Sequence, residues 1–253
     1  MFSHPPTLLS KEDMECSKYC SPQPQIFGEL HNKGLDYLYG RLLAFKGKTV
    51  DAKLGAQMQS RVSTATTEFF KLNLPGMVKV CDEIAQLTTE LFYSLDGNLD
   101  AIENEVFSKI YFSPTGTQYL NQVREVMAQT LPPAEYQQSL TNIYNDAYAS
   151  EQLQGRESEQ LLTMLQVGIY SSQYWANAEN QQKWDDLTGS SGRYWGQVAT
   201  TDLATAGGAC ITYAGVVIAG LGTPLGWGAY GATILIAALA GSVTAALYLY
   251  MYP

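Results

Sequence analysis

The sequence predicts an all-α protein, a helical bundle followed by a C-terminal apolar helical hairpin rich in glycine and alanine. Apolar residues recur at helical spacing almost everywhere from residue 26 onward, and no alternating pattern of useful length predicts a strand. The last charged side chain is Asp202, so residues 203–253 contain no Asp, Glu, Lys, Arg or His. Because charged side chains normally supply the water-exposed surface, a segment without them is expected to lie inside protein or lipid.

Leucine spacing and chain breakers place the helices of the front section. A leucine stripe defines the first helix, and Gly47 is expected to end it. Pro75 breaks the chain after the second helix, and Ser113-Pro114 is expected to close a later one. The predicted helices span residues 26–46, 51–72, 77–95, 99–112, 118–131, 133–149 and 157–180.

Composition divides the chain into four parts. Residues 1–25 are proline-rich and predict an irregular leader, and they lack the apolar stretch of a secretory signal. Residues 26–188 form the predicted helical domain. Residues 189–202 begin with Gly-Ser-Ser-Gly and predict a linker, and residues 203–253 form the predicted hairpin.

The tail is too long for one membrane-spanning helix, which needs about 20 residues. Four glycines and a proline in residues 220–228 predict a turn between two arms, 203–219 and 229–250. These arms would be about 26 and 33 Å long, close to the hydrocarbon thickness of a bilayer. Small residues four apart predict a face on which the arms approach closely, formed by Gly208, Thr212, Gly215, Ala219, Ala237, Gly241 and Ala245.

Aromatic residues cluster near both ends of the predicted hairpin. Such bands are typical of the interfacial belts of membrane helices. The candidates for this role are Trp195, Trp227, Tyr230, Tyr248 and Tyr250.

The charge balance excludes several partners. The front section carries all 15 basic and 24 acidic residues, and hence the net charge of −9. Nucleic-acid binding relies on Lys and Arg, and docking on anionic lipid requires basic clusters, so neither is expected.

No cofactor, metal or catalytic site is predicted. Cys16 and Cys20 lack the second ligand pair of a zinc site. The segment 40–49 has the wrong spacing for a phosphate loop, and 96–107 lacks the glycine and final glutamate of a calcium loop. His31 is expected to pack or hydrogen-bond on the first helix, and a Cys–His dyad needs a spatial proximity that a sequence does not give.

Two segments carry a resemblance to a known group of proteins. The block from Gly28 to Tyr37, GELHNKGLDY, resembles the G-x-x-H-N-x-x-L-D-Y segment of uncharacterised helical proteins from Bacteroidetes bacteria. The segment from Gly168 to Trp175 and the Gly/Ala-rich tail are also similar to theirs. The resemblance implies a bacterial, largely helical protein, and it assigns no catalytic residue.

The main functional prediction is a non-enzymatic helical protein whose hairpin inserts in, or associates with, a membrane. A sharper form is a pore-forming or toxin-like protein, because the architecture is loosely similar to that of colicin-type domains, whose bundle hides an apolar hairpin. The partner would then be lipid or a protein met through the hairpin, and the location a bacterial membrane or the exterior. The alternative is a soluble all-α interaction protein with the hairpin buried in its core. Oligomeric state is not predicted.

Overall fold

The computed structural model of the chain contains helices and no strands among the residues it describes, which are 24–47, 52–73, 112–129, 131–188, 198, 234 and 236–246. The all-α prediction is confirmed for this part of the chain. The helices are α1 (Pro24–Leu42), a 3₁₀ turn (Leu43–Phe45), α2 (Ala52–Asn73), α3 (Pro114–Met127), α4 (Pro133–Ala149), α5 (Gly155–Ala176) and α6 (Ala178–Thr188). Residues 236–246 are also helical and are called the tail helix below.

Most predicted boundaries agree with these helices to within a few residues. Helix α4 coincides with the prediction of 133–149. Gly47 follows the first helical segment with φ of 72°, a left-handed conformation that glycine adopts without a steric cost. The predicted helices 77–95 and 99–112 lie outside the described residues.

The prediction for Ser113-Pro114 was wrong, because these residues begin a helix. Ser113 is the N-cap of α3, and its hydroxyl accepts a hydrogen bond from the Gly116 amide at 3.2 Å. Pro114 follows at the first helical position, where its missing N–H costs nothing. Helix α3 therefore starts four residues before the predicted start at residue 118.

The single helix predicted over 157–180 is instead two helices. Asn177 has an extended backbone with ψ of 119° and separates α5 from α6. Its side-chain oxygen accepts from the amides of Glu179 at 2.8 Å and Asn180 at 3.2 Å. Asparagine is among the strongest N-cap residues, and here it starts α6 inside a continuous apolar pattern.

Helices α1 and α5 pack side by side and run parallel. Asn32 bonds to Tyr170 and Asp36 bonds to Tyr174, and in both pairs the residues are 138 positions apart. A constant separation means that four residues along α1 match four along α5. The two segments that carry the family resemblance therefore face each other across this helix pair.

The tail helix lies in the core of the bundle. Every residue from 236 to 246 is buried, and so is Ile234. A helix that is apolar on all sides is normally found at the centre of a fold or in a membrane, and the burial here is inside protein. Val198, from the predicted linker, is helical and buried in the same core.

Candidate functional site

Helix α1 presents a largely apolar inner face with one histidine in it. His31 is 0% exposed and lies among buried leucine and phenylalanine side chains. Burial in apolar surroundings disfavours the charged imidazolium, so the pKa of His31 falls to about 4, although the hydrogen bond with Asn32 partly opposes this change. The imidazole is therefore neutral at pH 7.

Hydrogen bonds define the tautomer of His31. Asn32 Nδ2 donates to the backbone carbonyl of Tyr170 at 2.9 Å, which turns the Asn32 Oδ1 acceptor toward the ring. His31 Nδ1 lies 3.2 Å from that oxygen and donates to it. His31 Nε2 is then the acceptor for the hydroxyl of Ser242 at 3.3 Å.

The resulting chain of four groups connects three helices. It runs from the Tyr170 carbonyl on α5 through Asn32 and His31 on α1 to Ser242 on the tail helix. We call these four residues the polar relay. Because these groups are buried or half-buried, their hydrogen bonds specify how α1, α5 and the tail helix are placed relative to one another.

Two glycines allow the same three helices to approach closely. A Cβ on Gly28 would overlap the Tyr170 ring and lie 3.0 Å from the carbonyl oxygen of Gln166. A Cβ on Gly34 would lie 2.5 Å from Leu239 Cδ2 on the tail helix. Gly28 therefore contacts α5 and Gly34 contacts the tail helix, on either side of His31 along α1.

A second polar group lies one helical turn further along α1. The Tyr174 hydroxyl donates to Asp36 Oδ1 at 2.9 Å and accepts from Trp184 Nε1 at 3.1 Å. Lys183 forms an ion pair with Asp36, and its ammonium lies over the rings of Tyr174 and Tyr39 at 4.9 and 5.5 Å. This cluster joins α1, α5 and α6.

The electrostatics of this cluster keep the Tyr174 phenol protonated. Desolvation by burial and the negative charge of Asp36 both raise the pKa of Tyr174 well above its usual range. The phenol therefore remains a hydrogen-bond donor at all pH values at which the protein is expected to fold.

A third group lies at the surface between α1 and α2. Arg41 forms a 2.8 Å ion pair with Glu68, and the Tyr37 hydroxyl bonds to both residues. The guanidinium also lies 5.0 Å from the centre of the Tyr37 ring. Since these side chains are partly exposed, we expect them to contribute less to stability than the buried groups.

The predicted hairpin residues are only partly covered by the structure. Ala237, Gly241 and Ala245 are buried on the tail helix. At about 100° per residue they lie on the side of the helix opposite Leu239, which contacts α1. The other predicted face residues, Gly208, Thr212, Gly215 and Ala219, lie outside the described residues, as do the aromatics Trp195, Trp227, Tyr230, Tyr248 and Tyr250.

Sequence reasoning anticipated that His31 would be packed and hydrogen-bonded but not which partner it would have. Ser242 was grouped only among the small residues of the tail, and nothing local relates it to a residue 211 positions earlier. The signal that was present is the GELHNKGLDY block, in which Gly28, His31, Asn32, Gly34 and Asp36 each make a cross-helix contact.

The chemistry of these groups is that of helix-to-helix attachment. His31 has no access to solvent and both of its ring nitrogens are engaged. Within the described ranges, no group of three or more His, Cys, Asp or Glu side chains is placed to hold a metal ion. No helix in that part of the chain combines the length and apolar character required to cross a bilayer.

Comparison with known proteins finds no matching family model, no significantly similar curated protein and no significantly similar solved structure. The resemblance to Bacteroidetes proteins therefore stays a prediction.

Proposed function

We propose that this chain is a non-enzymatic, all-α interaction protein whose apolar tail forms a central helix of the bundle. One observation supports this proposal most directly. All eleven residues from 236 to 246 are buried, and they contact α1 through Leu239 and Ser242. A charge-free tail helix is thereby accounted for by burial in protein.

The polar contacts agree with a structural role for the tail. The side chain of Ser242 meets a buried histidine, and a serine that faced lipid would lack such a partner. Gly34 leaves a gap on α1 that is filled by Leu239. Complementarity of both shape and hydrogen bonding favours a permanent position for the tail helix in the bundle.

The exterior of the bundle then supplies the binding surface. Its net negative charge disfavours nucleic acid and anionic membranes, so we propose another protein as the partner. Partner selection by such a surface acts mainly through electrostatic complementarity, which gives specificity and a faster association rate.

Removal of the tail tests this proposal. We expect the full chain to be monodisperse by size-exclusion chromatography with light scattering in the absence of detergent. We expect a chain that ends at Asp202 to unfold or aggregate, because the inner face of α1 loses its cover. The control removes residues 1–23, the segment before α1, and should remain monodisperse.

Membrane insertion is the second candidate, and the 51 charge-free residues from 203 to 253 favour it. It predicts that the full chain releases a dye from liposomes and that residues 1–202 alone fold and release none. A folded, monodisperse 1–202 chain together with dye release by the full chain would replace the proposal above with this one.

A further inference from the structure

We propose that His31 makes docking of the tail helix acid-labile, so that protonation of its imidazole releases the tail helix from α1 while α4 and α5 remain packed together. This inference concerns the attachment of the tail helix and goes beyond the proposed function. It holds whether the released helix then meets water, protein or lipid.

The position of His31 is the first reason. The imidazole is completely buried at the contact between α1 and the tail helix, where Nε2 accepts from the Ser242 hydroxyl. A proton added to the ring must occupy the Nε2 lone pair, because Nδ1 already carries one and donates it to Asn32. The Ser242 hydroxyl can then no longer donate to the ring, and a cation lies between two apolar helix faces.

The second reason is the lack of a counter-charge near the ring in the described structure. The tail helix has no ionisable residue at all. The helices that pack on α1 are α2 and α5. The charged groups described on these three helices are Glu29, Lys33, Asp36, Arg41, Arg61, Glu68, Lys71, Glu157 and Glu159.

The carboxylates in this set are committed to other contacts or lie far along their helices. On α1, Glu29 bonds to Gln25 and Asp36 pairs with Lys183. Glu68 of α2 pairs with Arg41, and Glu157 of α5 accepts from Ser113. Glu159 precedes Tyr170 by about 16 Å along α5. The ionisable phenols of α1 and α5, Tyr37, Tyr39, Tyr170 and Tyr174, are uncharged when protonated.

The direction of the pH effect follows from burial. The pKa of His31 is about 4 when the tail helix is docked and about 6.5 when the ring is in water. Docking is therefore unaffected above pH 6.5 and weakens as the pH falls from 6.5 to 4. The ratio of docked to released tail helix should fall about tenfold for each pH unit, and about 300-fold in all.

Local release is compatible with the packing of the other helices. Helix α4 and helix α5 are joined by a short connection and contact each other directly, and α1 contacts α5 directly. Loss of the tail helix from α1 therefore does not by itself separate α4 from α5.

Hydrogen exchange of the full chain between pH 7.5 and 4 tests the proposal. After correction for the intrinsic exchange rate, we expect residues 236–246 to lose protection by up to about 300-fold relative to the His31→Gln variant. Glutamine mimics the accepting side of the ring but does not titrate. Ser242→Ala is the matched control: it should lower protection at every pH and keep the wild-type slope, because burial of the ring is the source of the slope.

Three results would overturn the proposal. One is the same pH profile for wild type and His31→Gln. Another is loss of protection in α4 and α5 in parallel with residues 236–246, which indicates general acid unfolding. The third needs no variant: an NMR titration of the His31 ring in the folded full chain with a midpoint near 6.5, where a midpoint near 4 is expected.

Discussion

Asn32 donates a hydrogen bond of 2.9 Å to the backbone carbonyl of Tyr170, and this bond joins the two segments of the chain that carry its most distinctive sequence patterns. The pair Asp36 and Tyr174 repeats the same separation of 138 residues one turn later. Parallel helices normally meet through apolar ridges, and here polar bonds at four-residue steps fix their register.

The close contact at Gly28 should be intolerant of any side chain. Gly28→Ala places a Cβ against the Tyr170 ring and the Gln166 carbonyl, so one of the helices must shift. We expect a loss of about 1–3 kcal/mol in the free energy of unfolding, measured by urea denaturation. Gly40→Ala in the same helix is the control, because no atom lies within 4 Å of its Cβ. It should be neutral or stabilise by up to about 1 kcal/mol, and equal losses for the two variants would contradict the packing described.

The contact between Gly34 and Leu239 should show energetic coupling. Gly34→Ala forces the end of the Leu239 side chain to move, and Leu239→Ala removes that side chain from a fully buried position. Each change should destabilise the protein, by about 1–3 and 2–5 kcal/mol respectively. The double variant should lose less than the sum, because the new methyl group occupies space left by the leucine. Strict additivity in a urea-denaturation cycle would argue that the tail helix does not pack on α1.

The Tyr174 hydroxyl should contribute more than the Tyr37 hydroxyl. Tyr174→Phe removes the acceptor of the Trp184 indole and the donor to Asp36, in a site where Trp184 is 0% exposed. We expect a cost of about 1–3 kcal/mol in thermal or urea unfolding, because buried polar groups lose their partner. Tyr37→Phe removes a hydroxyl from a partly exposed ion pair and should cost about 1 kcal/mol or less. A larger effect at Tyr37 would reverse the assignment of these roles.

The sequence by itself determined the helical class, the position of α4, and the fact that the tail must avoid water. These properties depend on local spacing and composition, which one stretch of chain contains completely. Local signals were misread at Ser113 and Asn177, where a capping side chain starts a helix within a pattern that otherwise suggests an end or a continuation.

Only the tertiary structure decided what surrounds the tail helix and what His31 does. The absence of charge in residues 203–253 fits lipid and a protein core equally well, because both exclude water. The His31–Ser242 bond spans 211 residues and the Asn32–Tyr170 bond spans 138, and such pairs come together only when the helices pack. Helical periodicity states which face of a helix is buried, and the partner on that face is decided by how the whole chain folds.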